Sequence, residues 1–359
     1  MKKSKKKVVL IVLGIVLALI IIVGVIVYAV LHGLYKSSNY VEDENVKQQY
    51  QEKLEQGSEA PQETIDPEEA QGQKIDESEV KEIEKKRKEF SENEPITTDG
   101  KVYNVLLIGV DRRDDTWAGN SDTMILLSIN EKKKQISMVS LMRDTYADIP
   151  GIGLRKLNAA HANGAGPLLT ETVTENFKVQ VDRYITVDFN NMIDIINMVG
   201  PITINMSDSE VRVANDYMRE MCTLRKENLD DHLIEKGGNV VCDGMRAVAY
   251  ARIRYVGNAD YQRTERQRLV LSKLMEELKD MSLTDLYDLA DDLLPMVTHN
   301  VPEDEILGLL LKSPDLFKYK IVQDRIPYDG MFNVIYVNGQ DMLVPDWDDT
   351  VKRLKETLY

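Results

Sequence analysis

The chain has 359 residues and a mass of 40.9 kDa, with 43% apolar and 29% charged side chains. That is enough for one large domain or two modest ones, and too apolar for a wholly disordered chain. The formal charge of −15 is unevenly spread: five lysines lie within residues 1–7, residues 37–96 hold 18 acidic against 8 basic side chains, and 97–359 carry a net −11. A domain that acidic lacks the basic footprint of a general nucleic-acid binder, so no nucleic-acid partner is expected.

Val8 to Leu31 is a run of 24 residues without a charge, mostly Ile, Val and Leu. As a helix it spans roughly 36 Å, more than the roughly 30 Å hydrocarbon core of a bilayer. A cleaved signal peptide has a shorter apolar region, about 7–15 residues, ending in a small-residue cleavage site, and no A-x-A follows here. The run therefore reads as a retained transmembrane helix over 8–31. The lysine-rich tail 1–7 is cytoplasmic by the positive-inside rule, and everything beyond the helix lies outside. Residues 32–98 are rich in Glu, Gln, Lys and Ser and read as an acidic extracellular tether that lifts a domain, 99–359, from the lipid surface. Within it, Val80, Ile83 and Phe90 are spaced for one face of a helical stalk.

Strands are predicted at Val102–Gly109, Thr123–Ile129 and Gln135–Leu141, the last two joined by a lysine-rich turn. Helical spacing follows at Pro167–Phe177 and Phe189–Val199, flanked by short strands at Tyr184–Val187 and Ile202–Asn205. Asp243–Ala251, Gln262–Lys279, Leu283–Leu294 and Pro302–Leu311 read as helices. Strands at Tyr319–Ile326 and Phe332–Val337 precede a last helix at Trp347–Leu358. Strands mixed with helices throughout indicate an α/β domain: a central mixed sheet covered on both faces.

Several chemistries are excluded. None of the four histidines sits in H-E-x-x-H or beside a candidate nucleophile, and there is no G-x-S-x-G elbow, P-loop or G-x-G-x-x-G. Cys222 and Cys242, the only cysteines, are as readily two free core thiols as a disulfide, and no zinc spacing surrounds them. What remains is a set of carboxylates and arginines. Asp111 ends the first strand and Asp122 opens the second. The pair can converge on one Mg²⁺, which takes one or two carboxylates plus waters and phosphate oxygens, or can serve as ordinary turn and capping residues. Arg252, Arg254, Arg263, Arg266 and Arg268 fall within 17 residues. An extended Tyr250–Tyr255 puts Arg252 and Arg254 on one face. Helical spacing puts Arg263, Arg266 and Gln267 together. Two such faces can clamp a phosphate with planar guanidinium forks, or form a salt-bridged surface with Asp260 and Glu265. Leu168, Leu169 and Val173 on one predicted helix, Phe189, Ile193 and Ile196 on another, and Leu269, Leu271 and Leu274 on a third are candidate linings of an apolar channel, though side chains of this kind are more often ordinary core.

A series of motifs carries a resemblance: Leu-Leu-Ile-Gly-Val-Asp111-x-Arg113, Ser121-Asp-Thr-Met, Arg143-Asp-Thr-Tyr146, Lys156-Leu-Asn-Ala-Ala160, Val187-Asp-Phe189, Asp243-Gly-x-x-Ala247, Tyr250-Ala-Arg-x-Arg254 and Arg263-x-x-Arg266-Gln267. In order and content these resemble the LytR–CpsA–Psr family over about 102–270. The resemblance implies a three-layer α-β-α fold with a central mixed sheet, anchored by one N-terminal helix in a Gram-positive type envelope. It also implies a phosphotransferase that moves a glycopolymer, of teichoic acid or capsular polysaccharide type, from undecaprenyl pyrophosphate to peptidoglycan. Asp111 and Asp122 would then hold Mg²⁺. Arg143, Lys156, Arg252, Arg254, Arg263, Arg266 and Gln267 would bind the pyrophosphate, with Asp111, Asp122, Arg143, Arg252 and Arg254 at the reacting centre and Asp144 orienting its neighbours. The family usually places Arg directly before Ser-Asp-Thr-Met, where this chain has Asn120, which donates a hydrogen bond but brings no charge. A polyprenyl-pyrophosphate phosphatase or binder on the same fold, and a non-catalytic envelope regulator in line with the family's label as transcriptional attenuators, are the alternative functions.

Overall fold

The computed structural model describes residues 32–33, 35–55, 60, 64–110 and 118–359. The predicted membrane span 8–31 and Asp111 lie outside the described residues, among which no helix is long and apolar enough to cross a membrane.

The framework is a seven-stranded mixed sheet. β3 (Val102–Val110), β4 (Ser121–Asn130) and β5 (Gln135–Leu141) run antiparallel as a meander. β8 (Arg183–Asp188) lies parallel to β3, and β12 (Lys320–Ile326) parallel to β5. β11 (Thr298–His299) and β1 (Asn39–Tyr40) complete the order β1-β11-β8-β3-β4-β5-β12. These strands alternate between two cores, as the period of two requires. Leu106, Met124, Leu126, Val139 and Leu141 face α3 (Ala159–Phe177) and α10 (Trp347–Leu358). Leu107, Ile125, Ile185 and Val187 face the opposite layer. That layer contains α4 (Phe189–Val199), α6 (Gly244–Arg252), α7 (Ala259–Lys279) and α8 (Leu283–Leu293), with α5 (Asp208–Arg225) outside them. The expected three-layer α-β-α arrangement is thus present.

Smaller pieces decorate it. β6 (Tyr146–Ile149) and β7 (Gly153–Lys156) form a hairpin, and β9 (Ile202–Met206) pairs with β10 (Gly238–Cys242). β13 (Phe332–Val337) and β14 (Gln340–Pro345) form another hairpin, against which β2 (Gln73–Lys74) lies parallel. α9 (Glu303–Leu316) leads into β12. Cys222 and Cys242 are free and buried, and burial pushes the Cys242 thiol up to about 12.

The stretch read as a solvated tether differs from that expectation. Its described part folds onto the domain: β1 joins the main sheet, α1 (Asp43–Glu55) packs on α3, and α2 (Glu77–Asn93) begins with a capping box between Asp76 and Glu79. α2 buries only Arg87 and Phe90 among many charged residues, which is why its composition resembles that of a disordered segment. Those two contacts are strong, however. Phe90 stacks on Trp347 with ring centroids 6.3 Å apart, and Arg87 lies over the same indole while donating through Nε to Asn176 Oδ1 at 3.0 Å. Phe90→Ala is expected to lower unfolding stability by about 3 kcal/mol, read as a lower urea midpoint at unchanged slope. An unchanged midpoint would make α2 a detached stalk.

Candidate functional site

The carboxyl ends of β3, β8 and β5 and the amino end of β4 meet at one edge of the sheet, where Val110 is paired with both Asp188 and Ser121. Crevices outside the carboxyl ends of strands are where α/β sheets bind ligands. Asp122 is the second residue of β4, and Arg143 and Asp144 follow β5. Arg143 Nη1 donates to Asp122 Oδ1 at 2.6 Å, and its Nε lies 3.7 Å from Asp144 Oδ2. The β6–β7 hairpin brings Lys156 back so that its Nζ donates to Asp144 Oδ1 at 2.6 Å.

The second half comes from the opposite layer. Arg254 Nη2 is 2.8 Å from Asp260 Oδ2, and Arg263 Nη2 is 3.0 Å from Asp260 Oδ1. The two halves feel one another electrostatically. Burial pulls the Arg143 guanidinium down, but Asp122, Asp144 and Asp260 together hold it above its usual value. Burial would raise the Asp144 carboxyl, yet Lys156, Arg143 and Arg254 hold it below the ordinary range. Arg263 is lowered by burial, with Arg143 and Arg254 adding to that against Asp260 and Asp122. Four cations thus face three carboxylates inside an acidic domain. The Nε donors of Arg143 and Arg263 are buried with no hydrogen-bond acceptor among the described residues. Buried donors left unmade are costly, so this cluster is set up for an anion rich in oxygen acceptors.

Beside the cluster opens an apolar cavity of about 290 Å³ between the sheet and α4, α6 and α7, lined by Ile125, Val187, Ile196, Val248, Leu274 and similar side chains. One face of α7 connects the two environments. Arg263 sits in the cluster, Gln267 and Arg252 line the cavity, and Leu271, Leu274 and Leu278 continue into it at helical spacing. The Arg252 guanidinium carbon lies over two rings, 5.0 Å from the Phe189 centroid and 5.1 Å from that of Tyr217, with Glu220 Oε2 3.7 Å from its Nη2.

Of the expected residues, Asp111 lies outside the described residues, Asp122, Arg143, Lys156, Arg254 and Arg263 meet in the cluster, and Arg252 and Gln267 line the neighbouring cavity, but not all in the expected way. Tyr250–Tyr255 is not extended: Asp243 caps α6, the helix runs to Arg252, and only then does the chain straighten. Arg252 consequently faces the cavity mouth while Arg254 turns to Asp260. Arg266 does not share the face of Arg263 and Gln267. It donates through Nε to Glu210 Oε1 at 3.0 Å and through Nη1 and Nη2 to the carbonyls of Ile253 and Val256, each at 3.1 Å, so it clamps the loop that carries Arg254. Arg268 is buried, its Nη1 donating to Ser140 Oγ at 2.6 Å. Asn120 lines a small cleft with Asp144 and Lys156. Glu210 and Tyr217 were not singled out as functional from sequence, and Phe189 only as a motif residue and candidate channel lining. The Ser207-x-x-Glu210 capping box was the available signal for the first of these.

Among the described residues no three His, Cys, Asp or Glu side chains are placed as a metal cage. Asp122 is the one described carboxylate of the expected Mg²⁺ pair, and its Oδ1 already accepts from Arg143, leaving Oδ2 as the oxygen a hard divalent cation would take. Its side chain is 22% exposed, near the amino end of β4 and next to the cavity-lining Thr123. Such a donor set suits Mg²⁺, which keeps several waters and takes substrate phosphates.

Comparison with known proteins agrees with this architecture. Polyisoprenyl-teichoic acid–peptidoglycan teichoic acid transferase TagU of Enterococcus faecalis is 32% identical over 206 residues, 56% of this chain and 61% of the relative. Biofilm regulatory protein A of Streptococcus mutans is 31% identical over 195 residues, 51% of this chain and 46% of the relative. The chain thus spans about half to three-fifths of the length of these curated relatives. A solved structure of TagT with bound octaprenyl pyrophosphate lipid superposes with a TM-score of 0.54 at 23% identity, covering 73% of this chain and 93% of that one, a likeness of fold. The LytR_cpsA_psr family profile matches residues 68–357, from within the N-terminal segment that folds onto the sheet to the last helix, and the chain belongs to that family.

Proposed function

We propose that this protein transfers a glycopolymer, of teichoic acid or capsular polysaccharide type, from undecaprenyl pyrophosphate to peptidoglycan. The observation that carries the reading is the continuity along α7, from a cationic cluster with unmade donors at Arg263 to an apolar cavity at Leu271 and Leu274. A pyrophosphate esterified to a polyprenyl chain needs both environments side by side. The function for which TagU is named and the lipid in the TagT structure support the same substrate class. We further propose that residues 8–31 anchor the chain, with 1–7 cytoplasmic and the domain outside.

In this reading Arg143, Arg254, Arg263 and Lys156 hold the phosphate oxygens, and Arg252 with Gln267 guards the mouth of the lipid cavity. A sugar hydroxyl of the acceptor attacks the phosphorus nearer the glycan. A new P–O bond forms, the bond from that phosphorus to the bridging oxygen breaks, and polyprenyl monophosphate leaves. The hydroxyl proton passes to solvent or to the leaving phosphate. The protein's part is positioning and neutralisation of growing negative charge, which planar guanidinium forks do well. Asp111 and Asp122 would hold Mg²⁺, which when bound supplies further neutralisation at the phosphate oxygens. Asp144 and Asp260 touch cations and act as positioning residues.

The test uses the full chain in detergent with a short glycan on polyprenyl pyrophosphate, peptidoglycan fragments, and Mg²⁺ or a chelator, read by mass spectrometry. Glycan phosphate attached to the fragments, lost with chelator and reduced at least about 100-fold in Asp122→Asn, is the expected result. Full attachment by Asp122→Asn would remove the metal assignment. Glycan phosphate released without attachment would make the enzyme a hydrolase, and lipid binding without turnover would favour a regulator.

A further inference from the structure

The turn that follows α8 is apolar without being buried. Leu293, Leu294, Pro295, Met296 and Val297 succeed one another with no polar side chain among them, four of them half-buried and Pro295 exposed. Single apolar side chains at a surface are ordinary, but a contiguous run marks a place that meets something other than water. The turn is also fixed in position: Asn191 Nδ2 donates to the Met296 carbonyl at 2.8 Å, and β11 begins at Thr298.

Two features converge there. The first is the apolar cavity. Leu293 and Val297 line it, as does Leu278, which lies at the far end of α7 from Arg263. The second is the segment that follows the proposed membrane span. Ser37 Oγ donates to Asp291 Oδ1 at 3.2 Å, two residues before the turn proper. Asn39 pairs with Thr298 in the sheet and donates through Nδ2 to Thr298 Oγ1 at 2.8 Å, directly after the turn. His32, one residue beyond the span, has its Nδ1 3.1 Å from Glu303 Oε2. The same segment carries Tyr35 and Tyr40, with ring centroids 5.3 Å apart, and tyrosine is favoured at the boundary between lipid and water. With residues 8–31 in a bilayer, the chain therefore leaves the lipid along the flank of this turn. The exposed carboxylates of Asp288, Asp291 and Asp292 on α8 stay in water, since burying them is costly, so the lipid contact is confined to the turn.

We propose that the Leu293–Val297 turn inserts into the outer leaflet beside the anchor, so that the apolar cavity opens into the acyl chains and not into water. This rests on the anchor and the transferase reading proposed above. The cavity, at about 290 Å³, is slightly below the roughly 300–1,000 Å³ of pockets that enclose a drug-sized ligand, and a polyprenyl tail is longer than such a ligand. Only its first units fit beside the arginines. The rest passes the turn and stays in the bilayer, so the donor is taken up without its tail crossing water.

The experiment uses the full chain in nanodiscs, carrying an environment-sensitive dye at Met296→Cys or, as a control in the opposite layer, at Lys352→Cys on the exposed side of α10. Cys222 and Cys242 are buried, which confines labelling to the new thiol. Lipids brominated in their acyl chains are expected to remove most of the emission at 296 and none at 352. Leu294→Asp is expected to slow uptake of polyprenyl pyrophosphate from nanodiscs at least about tenfold, while binding of inorganic pyrophosphate and of the same lipid presented in detergent stays as in wild type. An unquenched dye at 296, equal quenching at both sites, or unchanged uptake by Leu294→Asp overturns the proposal. A dye at 296 that is shielded from water but not quenched by bromolipid means that protein, such as a second copy of this chain, covers the turn, and overturns it as well. Wild type that does not enter nanodiscs overturns the anchor and the proposal together. Quenching at 296 in a chain that binds no polyprenyl pyrophosphate overturns the transferase reading and leaves the inserted turn standing.

Discussion

Arg143→Ala is expected to abolish binding of polyprenyl pyrophosphate and to lower stability by about 3–5 kcal/mol, the usual cost of removing one partner from a buried ion pair. The side chain is only 12% exposed and stands between Asp122 and Asp144. Without it two carboxylates face each other at the edge of the sheet with Lys156 as their nearest remaining cation on that side. In a domain of this size the loss amounts to a fall in melting temperature of roughly 10 °C. Arg143→Lys separates the two effects. An ammonium restores charge, and with it much of the stability, but it cannot reach Asp122 and Asp144 while presenting a further donor to a phosphate. Transfer should therefore remain lost in the lysine variant although its melting temperature recovers. Recovery of both would reduce Arg143 to a structural counterion.

Leu271→Trp carries the second large effect. Leu271 lies on the cavity side of α7, one turn beyond Gln267, and is only half-buried because the cavity is open in front of it. An indole there fills space rather than displacing packed core. It displaces lipid instead: each buried methylene contributes about 0.8 kcal/mol, so excluding one five-carbon isoprene unit costs up to about 4 kcal/mol, and half of that is still about 30-fold in affinity. Calorimetric titration should show polyprenyl pyrophosphate binding weakened by about 30- to 1000-fold. Inorganic pyrophosphate, which needs only the cluster, should bind as before. Equal loss of both ligands would mean that the substitution has disturbed Arg263 rather than closed a lipid channel.

Elements with strong local patterns were readable from sequence to within a residue or two. Gln135–Leu141, Phe189–Val199, Phe332–Val337 and Trp347–Leu358 have the predicted bounds. α3 was seen only from Pro167 onward, because its first half ends at a break where Gly164 and Ala165 leave helical geometry. α5 was missed although Ser207 and Glu210 cap it and Val211, Ala214 and Met218 form its buried stripe. Its many charged residues dilute that stripe. At the site, residue identity was legible and direction was not. Tyr250–Arg254 is too short for periodicity to separate strand from helix, so whether Arg252 and Arg254 share a face was decided by the cap at Asp243. The partner of Arg266 could not be named while the helix bearing Glu210 was unseen.

The pairing of β1 with β11 sets a working distance. With residues 8–31 in the bilayer as proposed, only the seven residues 32–38 separate the anchor from a strand of the main sheet, a standoff of at most about 25 Å, where an extended 32–98 linker could have allowed about 240 Å. On the proposed reading, a transferase on so short a leash would not sweep the depth of a cell wall. It would act only in the layer next to the membrane, where a lipid donor would keep its tail in the bilayer, and the growing wall would bring the acceptor down to meet it.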